Sequence, residues 1–195
     1  MSNVKVDSAQ SAASYTFPNK DIPWLLKLWA EQTPDKAFLI WEPKDGKSRE
    51  WSYQAFWQDA NRVACGLIDK GVGKGDKVLI HAENCPEMVL AWYACAIIGA
   101  VGVTTNIRCI GEELAYFASH SDAVGCITQP QFYAELKTHA KTLQWFVLTD
   151  NNAGELPTTE QLTHGEPLFE SLMSKGDSAP ERAAEPMLPI GIQYT

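Results

Sequence analysis

Three places in the chain carry residue types suited to meeting an anion. Gly71, Gly73 and Gly75 surround Lys74, and closely spaced glycines let backbone amides approach a phosphate. Arg108 follows an apolar run in an otherwise acidic protein, and a guanidinium just beyond a strand suits a phosphate group. Asn84 follows another apolar run, where its amide could touch a ligand or accept from the first amides of a helix. The glycines fail a directional test. A phosphate loop runs from a strand into a helix N-terminus, whereas here a helical pattern precedes the glycines and a strand-like run follows. Gly71 therefore reads as a helix C-cap and the remainder as a turn. The capping role accounts for Asn84. Arg108 has two readings, a ligand contact or a surface arginine.

Other chemistries are poorly served. The five cysteines, Cys65, Cys85, Cys95, Cys109 and Cys126, are odd in number and lack CxxC spacing, which reads as reduced thiols of a cytoplasmic protein. His81, His120, His139 and His164 show no zinc-ligand pairing, so no metal site and no catalytic residue is assigned. The net charge of −8 and the absence of a Lys/Arg run argue against nucleic acid. No apolar run approaches the ~20 residues that cross a bilayer. Residues 1–14 are small and polar, a loose tail and not a signal peptide. The expectation is a soluble, cytoplasmic protein that holds any anionic cofactor locally.

At 195 residues the chain is one domain by length, built around the stretch from Gly71 to Asn106. Residues 77–82 form a short apolar run suited to a strand buried on both faces. Asn84, Pro86 and Glu87 open a helix, and Met88, Val89, Ala91, Trp92, Cys95, Ala96 and Ile98 cover a broad stripe of it up to Gly99. Residues 100–105 return as a second strand, parallel to the first. Upstream, Asp21 caps a helix, and the strands at 38–42 and 49–53 flank Asp45-Gly46, the signal of a tight hairpin. Ser52 then opens an amphipathic helix through Phe56, Ala60, Val63, Ala64 and Leu67. Downstream come a helix from Gly111, a strand at 124–128, a helix at 130–143 and a strand at 145–148. This rhythm predicts an α/β fold with a doubly wound, mostly parallel sheet flanked by helices, plus the small antiparallel hairpin. Residues 151–165 read as a surface excursion, 168–173 as a helical turn or two and 178–186 as a linker. Residues 187–195 head into a strand, and if 187–194 pairs with nothing else in the chain its edge would recruit a second copy and give a homodimer.

The order and spacing of these pieces resemble the adenylate-forming superfamily, the AMP-forming acyl-CoA synthetases with the firefly luciferases and peptide-synthetase adenylation domains. The resemblance runs from about Trp24 to Thr195. It is carried by Trp51-Ser-Tyr, Ala60-Asn-Arg-Val-Ala-Cys-Gly-Leu, Gly71-Val-Gly-Lys-Gly-Asp-Lys-Val, Asn84-Cys-Pro-Glu, Gly99-Ala-Val, Asn106-Ile-Arg, Glu113-Leu-Ala-Tyr and Ile192-Gln-Tyr-Thr. It implies a tail over residues 1–20 and, over 21–195, the N-terminal α/β subdomain of a larger acyl-CoA synthetase-like fold, interrupted just before the ATP phosphate loop. Thr195 matches the first position of that loop and would bind ATP in the complete enzyme, while Arg108 matches an Asn-x-Arg position that binds CoA. The implied reaction joins a carboxylic acid to ATP with Mg²⁺, releasing pyrophosphate, after which the CoA thiol displaces AMP. The acidic motifs and catalytic lysine of the family lie downstream, so this stretch alone is expected not to turn over. Two rivals share the resemblance: a non-catalytic binding or regulatory module, and an adenylating enzyme whose acceptor is a carrier-protein thiol or oxygen. Arg108 favours CoA over the second.

Overall fold

The computed structural model describes residues 19–149, 165–174 and 176–194. The expectations for the N-terminal tail, for residues 151–164 and for Thr195 lie outside the described residues. Helix α1 (Ile22–Gln32) leads to β1 (Ala37–Trp41), β2 (Arg49–Ser52) and the long helix α2 (Tyr53–Asp69). There follow β3 (Lys77–His81), α3 (Pro86–Ile98), β4 (Val101–Thr104), α4 (Glu112–His120), β5 (Ala123–Thr128), α5 (Pro130–His139) and β6 (Trp145–Leu148). After a 3₁₀ turn (Phe169–Leu172) the chain returns as β7 (Gly191–Gln193).

Strands β3 to β7 form one parallel sheet in the order β6-β5-β3-β4-β7. Its two faces are both covered, which is why the strands read as continuous apolar runs and not as alternating ones. On one face Val78 and Ile80 meet Phe56, Val63 and Leu67 of α2 and Leu90 and Ala94 of α3. On the other Leu79, Val103 and Cys126 meet Leu114 and Phe117 of α4 and Leu136 of α5. The step from β3 to β4 runs toward β7 and carries α3 on the first face. The step from β4 to β5 runs back across β3 and carries α4 on the second. Parallel crossovers keep one hand, so reversing direction demands changing face, which is the doubly wound arrangement.

Local chemistry sets the element ends. Asp21 Oδ1 accepts from Trp24 N at 2.8 Å and caps α1, and Ser52 Oγ accepts from Ala55 N at 3.2 Å and caps α2. Gly99, at φ +76°, ends α3 in the left-handed conformation that lets β4 reverse. The Gly71 to Gly75 turn spends its amides internally: Gly73 N donates to Asp76 Oδ2 at 2.8 Å and Gly75 N to Gly99 O at 2.9 Å. The C-cap itself is Lys70, with Gly71 just beyond it at φ +85°, so the segment is the helix end and turn expected, at the amino end of the sheet.

Three local expectations are corrected. The β1 and β2 strands pair antiparallel as far as Trp41 with Arg49, so residues 42–48 form a wide loop and not a tight hairpin. Gly46 has a positive φ there and Asp45 does not, whereas a tight type I′ turn requires both. Helix α3 buries a different set from the stripe expected, with Met88, Val89, Trp92 and Ile98 only partly buried. Wedged between sheet and α2, it also buries Leu90, Ala94 and Ile97. Finally, Asn84 does not cap α3: the N-cap is Cys85, with no side-chain bond.

The return to β7 is fastened over the outside of α1 and α3. Arg182 Nη2 donates to Ala96 O at 2.7 Å and Nε to Ile97 O at 3.1 Å, satisfying the last carbonyls of α3. The same guanidinium pairs with Asp21 Oδ2 at 3.0 Å, which also accepts from Glu185 N at 3.2 Å. Beneath, Gly66 of α2 lies against the 3₁₀ turn, and a Cβ there would stand 2.1 Å from the Leu172 carbonyl oxygen. Gly66→Ala would gain about 1 kcal/mol in helix propensity. Because the obstacle is backbone, the overpacking cost of roughly 1–3 kcal/mol decides the sign. Urea unfolding should show Gly66→Ala less stable than wild type, and equal or greater stability would show that the turn moves freely.

Candidate active-site cleft

The polar residues of the sheet gather at one end. Each of these strands closes on a polar side chain at its carboxyl end: His81 at the end of β3, Thr104 at the end of β4 with Thr105 next, Thr128 at the end of β5 and Thr149 after β6. His81, Thr128, Gln129 and Thr149 are fully buried. They are cross-linked between strands. Thr128 Oγ1 donates to His81 O at 2.7 Å, and His81 Nδ1 lies 2.8 Å from Thr105 Oγ1. Glu83 N donates to Gln129 Oε1 at 2.9 Å, tying the loop after β3 to the loop after β5 where the two leave toward opposite faces. Open α/β sheets bind ligands in the crevice at such a reversal.

Above this belt lies a cleft of about 570 Å³ across the ends of β3, β4 and β7. Asn84, Thr104, Thr105, Asn106, Gln193 and Tyr194 supply its polar lining, and Met88 and Ile107 part of its apolar wall. A second groove, of about 720 Å³, continues from Asn106, Gln193 and Tyr194 to Cys109, Glu113 and Tyr116 on and before α4. The Tyr194 hydroxyl is fixed at the junction by His120 Nδ1 at 2.7 Å, with its ring on Phe117 at 4.4 Å between centres.

The expected ligand residues are distributed unevenly around this cleft. Arg108 stands exposed on the rim, one residue beyond Ile107, in a turn closed by Cys109 N to Asn106 O at 3.0 Å. Its own amide donates to Asn106 Oδ1 at 3.0 Å, and its guanidinium has no ion-pair partner among the described residues. Asn84, released from capping, is exposed in the lining itself. Thr195 is outside the described residues, directly after Tyr194. The five cysteines are free thiols, and burial pushes Cys95 up to about 12. The sequence reading missed His81, Thr105 and Gln129. Their signal was present: three apolar runs, each ending on a polar residue at the same edge.

A protein-family model for AMP-binding enzymes matches residues 26–195. The chain belongs to this family. Among curated members, a crotonobetaine/carnitine–CoA ligase of Salmonella paratyphi A is 38% identical over 112 residues, which are 56% of this chain and 22% of that ligase. The Salmonella typhimurium crotonobetaine/carnitine–CoA ligase is 39% identical over 99 residues, 51% of this chain and 19% of the ligase. The chain thus spans about a fifth of the length of these AMP-binding relatives. Two solved structures of coronafacic acid ligase from Pectobacterium brasiliense, one of them a point mutant, share the fold. Their TM-scores are 0.70 and 0.64, at 20% and 21% identity, over 87% and 80% of this chain and 32% and 30% of theirs. Among the described residues no helix is long and apolar enough to cross a membrane.

Burial holds the His81 imidazole neutral, lowering its pKa from 6.5 to about 4. Unfolded chains bind a proton there between these limits and the folded chain does not, so His81 destabilises the fold as pH drops from 6.5 toward 4. At about 1.4 kcal/mol per unit the full loss is on the order of 3 kcal/mol. Stability curves of wild type and His81→Asn over this window should diverge, wild type falling faster; parallel curves would show the ring charged or solvated in the fold.

Proposed function

We propose that this chain is the N-terminal α/β portion of a cytoplasmic, AMP-forming acid–thiol ligase, with residues 21–195 as one subdomain. The complete enzyme would join a carboxylic acid to the α-phosphate of ATP and pass the acyl group to CoA. The observation that carries this reading is the cleft at the carboxyl ends of β3, β4 and β7, in a chain of the AMP-binding family. The relatives named for crotonobetaine and carnitine support a carboxylic acid as substrate and CoA as acceptor.

The lining is suited to part of that task. Asn84, Asn106 and Gln193 offer amides and Thr104, Thr105 and Tyr194 hydroxyls, all neutral groups that can orient a carboxylate, ribose or phosphate oxygen. Glu83 is the one charged residue in the lining, so charge for a triphosphate has to come from the rim and from the rest of the enzyme. Arg108 supplies the rim cation and is assigned to a phosphate of CoA; Thr195 is assigned to the ATP loop. No three His, Cys, Asp or Glu side chains converge among the described residues. In the complete enzyme Mg²⁺ would enter with the phosphates of ATP. The chain by itself is assigned no catalytic base or lysine and is inactive in this reading. Strand β7 pairs in cis with β4, so the homodimer expected from an unpaired 187–194 segment loses its premise.

In the complete ligase, Arg108→Ala should raise KM for CoA roughly tenfold or more, the cost of one charge-assisted contact, and leave KM for ATP unchanged. Equal rises in both would remove the CoA assignment. The 195-residue chain given ATP, Mg²⁺ and a panel of carboxylic acids should release no pyrophosphate, and turnover would overturn its assignment as an incomplete catalyst.

A further inference from the structure

His81 is wholly buried, yet one of its two ring nitrogens reaches the cleft through a single side chain. Nδ1 contacts Thr105 Oγ1 at 2.8 Å, and Thr105 lines the cleft. Nε2 has no hydrogen-bond partner among the described residues. We propose that His81 is a positioning residue: as the Nδ1–H tautomer it donates to Thr105 Oγ1 and leaves the Thr105 hydroxyl proton to donate into the cleft, to a carboxylate or phosphate oxygen. The inference rests on the ligase reading, in which the cleft takes an anionic group.

The direction follows from the donor inventory. A neutral imidazole has one N–H and one bare nitrogen, and a hydroxyl has one proton. If Nδ1 accepts from Thr105, the hydroxyl proton is turned inward and Nε2–H becomes a buried donor without an oxygen or nitrogen acceptor. If Nδ1–H donates, the unmatched group is the bare Nε2. Orphaned buried N–H groups are rare in folded proteins, and the second arrangement avoids one. Burial keeps the ring neutral, so only these two states compete. Among the described residues the ring of Phe132 stands T-shaped to the imidazole at 5.0 Å between centres, the nearest aromatic partner the competing state could use.

A neighbouring group points the same way. Asn106 Oδ1 is occupied by Arg108 N, which leaves its NH₂ end as a donor. Thr105 and Asn106, adjacent in sequence and both in the lining, then present donors. The opposing charge, Glu83, is drawn toward the β5 side by Gln131 Nε2 at 3.3 Å.

The test uses the 195-residue chain. Long-range ¹H–¹⁵N spectra of the histidine rings at pH 7 should show the Nδ1–H form for His81; the Nε2–H form overturns the proposal. Sodium acetate and inorganic phosphate are then titrated against the Thr105 amide resonance. Thr105→Val and His81→Phe should each weaken the acetate response about tenfold, the loss of one hydrogen bond. His81→Asn, whose amide nitrogen stands as many bonds from Cα as Nδ1, should restore it to within about threefold. A His81→Phe chain that keeps the wild-type fold by its spectrum and binds acetate undiminished would overturn the positioning role. Absence of any anion response at Thr105 in wild type would overturn the donor role. A normal response at Thr105, together with Arg108→Ala leaving the KM for CoA of the complete ligase unchanged, would instead count against the CoA assignment alone.

Discussion

The central strands of a parallel sheet covered on both faces are open to water only at their two ends, and that constraint arranges everything else in this protein. Strand positions 78–80, 101–103 and 126–127 must be apolar because helices lie above and below them. Groups that need solvent, partners or ligands are pushed to the strand ends. At the amino end the space is spent on a self-contained glycine turn. At the carboxyl end the loops leave in opposite directions from β3 and β5, polar side chains bridge that gap, and the cleft opens beside it over β3, β4 and β7. Function concentrates where the covering helices cannot reach.

The edge of the sheet next to that cleft depends on a charge-assisted clamp. Asp21 serves α1 as its cap, the returning strap through Glu185 N, and Arg182 as counter-ion. Arg182 also closes the C-terminus of α3. One carboxylate and one guanidinium, both mostly buried, thus hold together two helix ends and the segment that delivers β7. Strand β7 brings Gln193 and Tyr194 to the cleft, and Tyr194 is then braced by His120 and Phe117 from α4. The clamp lies outside the cleft and holds the segment that leads into Gln193 and Tyr194.

Much of this architecture was legible beforehand. Apolar runs, caps at Asp21 and Ser52, and the stop at Gly99 are signals that act within a turn or two of chain, and the elements formed where those signals lie. The failures were local rules that lost to longer-range ones. Asn84 followed by Pro86 reads as a cap and first turn, but the chain begins α3 one residue later and Asn84 faces the cleft. Asp45-Gly46 reads as a tight turn, but β1 and β2 pair only to Trp41 and Arg49, so the loop had no need of that geometry. The stripe expected on helix α3 left out Leu90, Ala94 and Ile97 because its surroundings, α2 on one side and the sheet on the other, are invisible in its own periodicity.

The sequence by itself determined the type and order of the elements, the parallel class of the sheet and the family pattern, because each is written in residue spacings no longer than one strand or helix. It also placed a polar residue at the end of every apolar run. Only the tertiary structure decided which of those residues meet. Strand order and register pair Ile80 with Thr104, so the next residues, His81 and Thr105, fall side by side although 24 positions apart. That contact depends on how far two separate strands slide along each other, a quantity fixed by packing on both faces of the sheet and by no single stretch of chain.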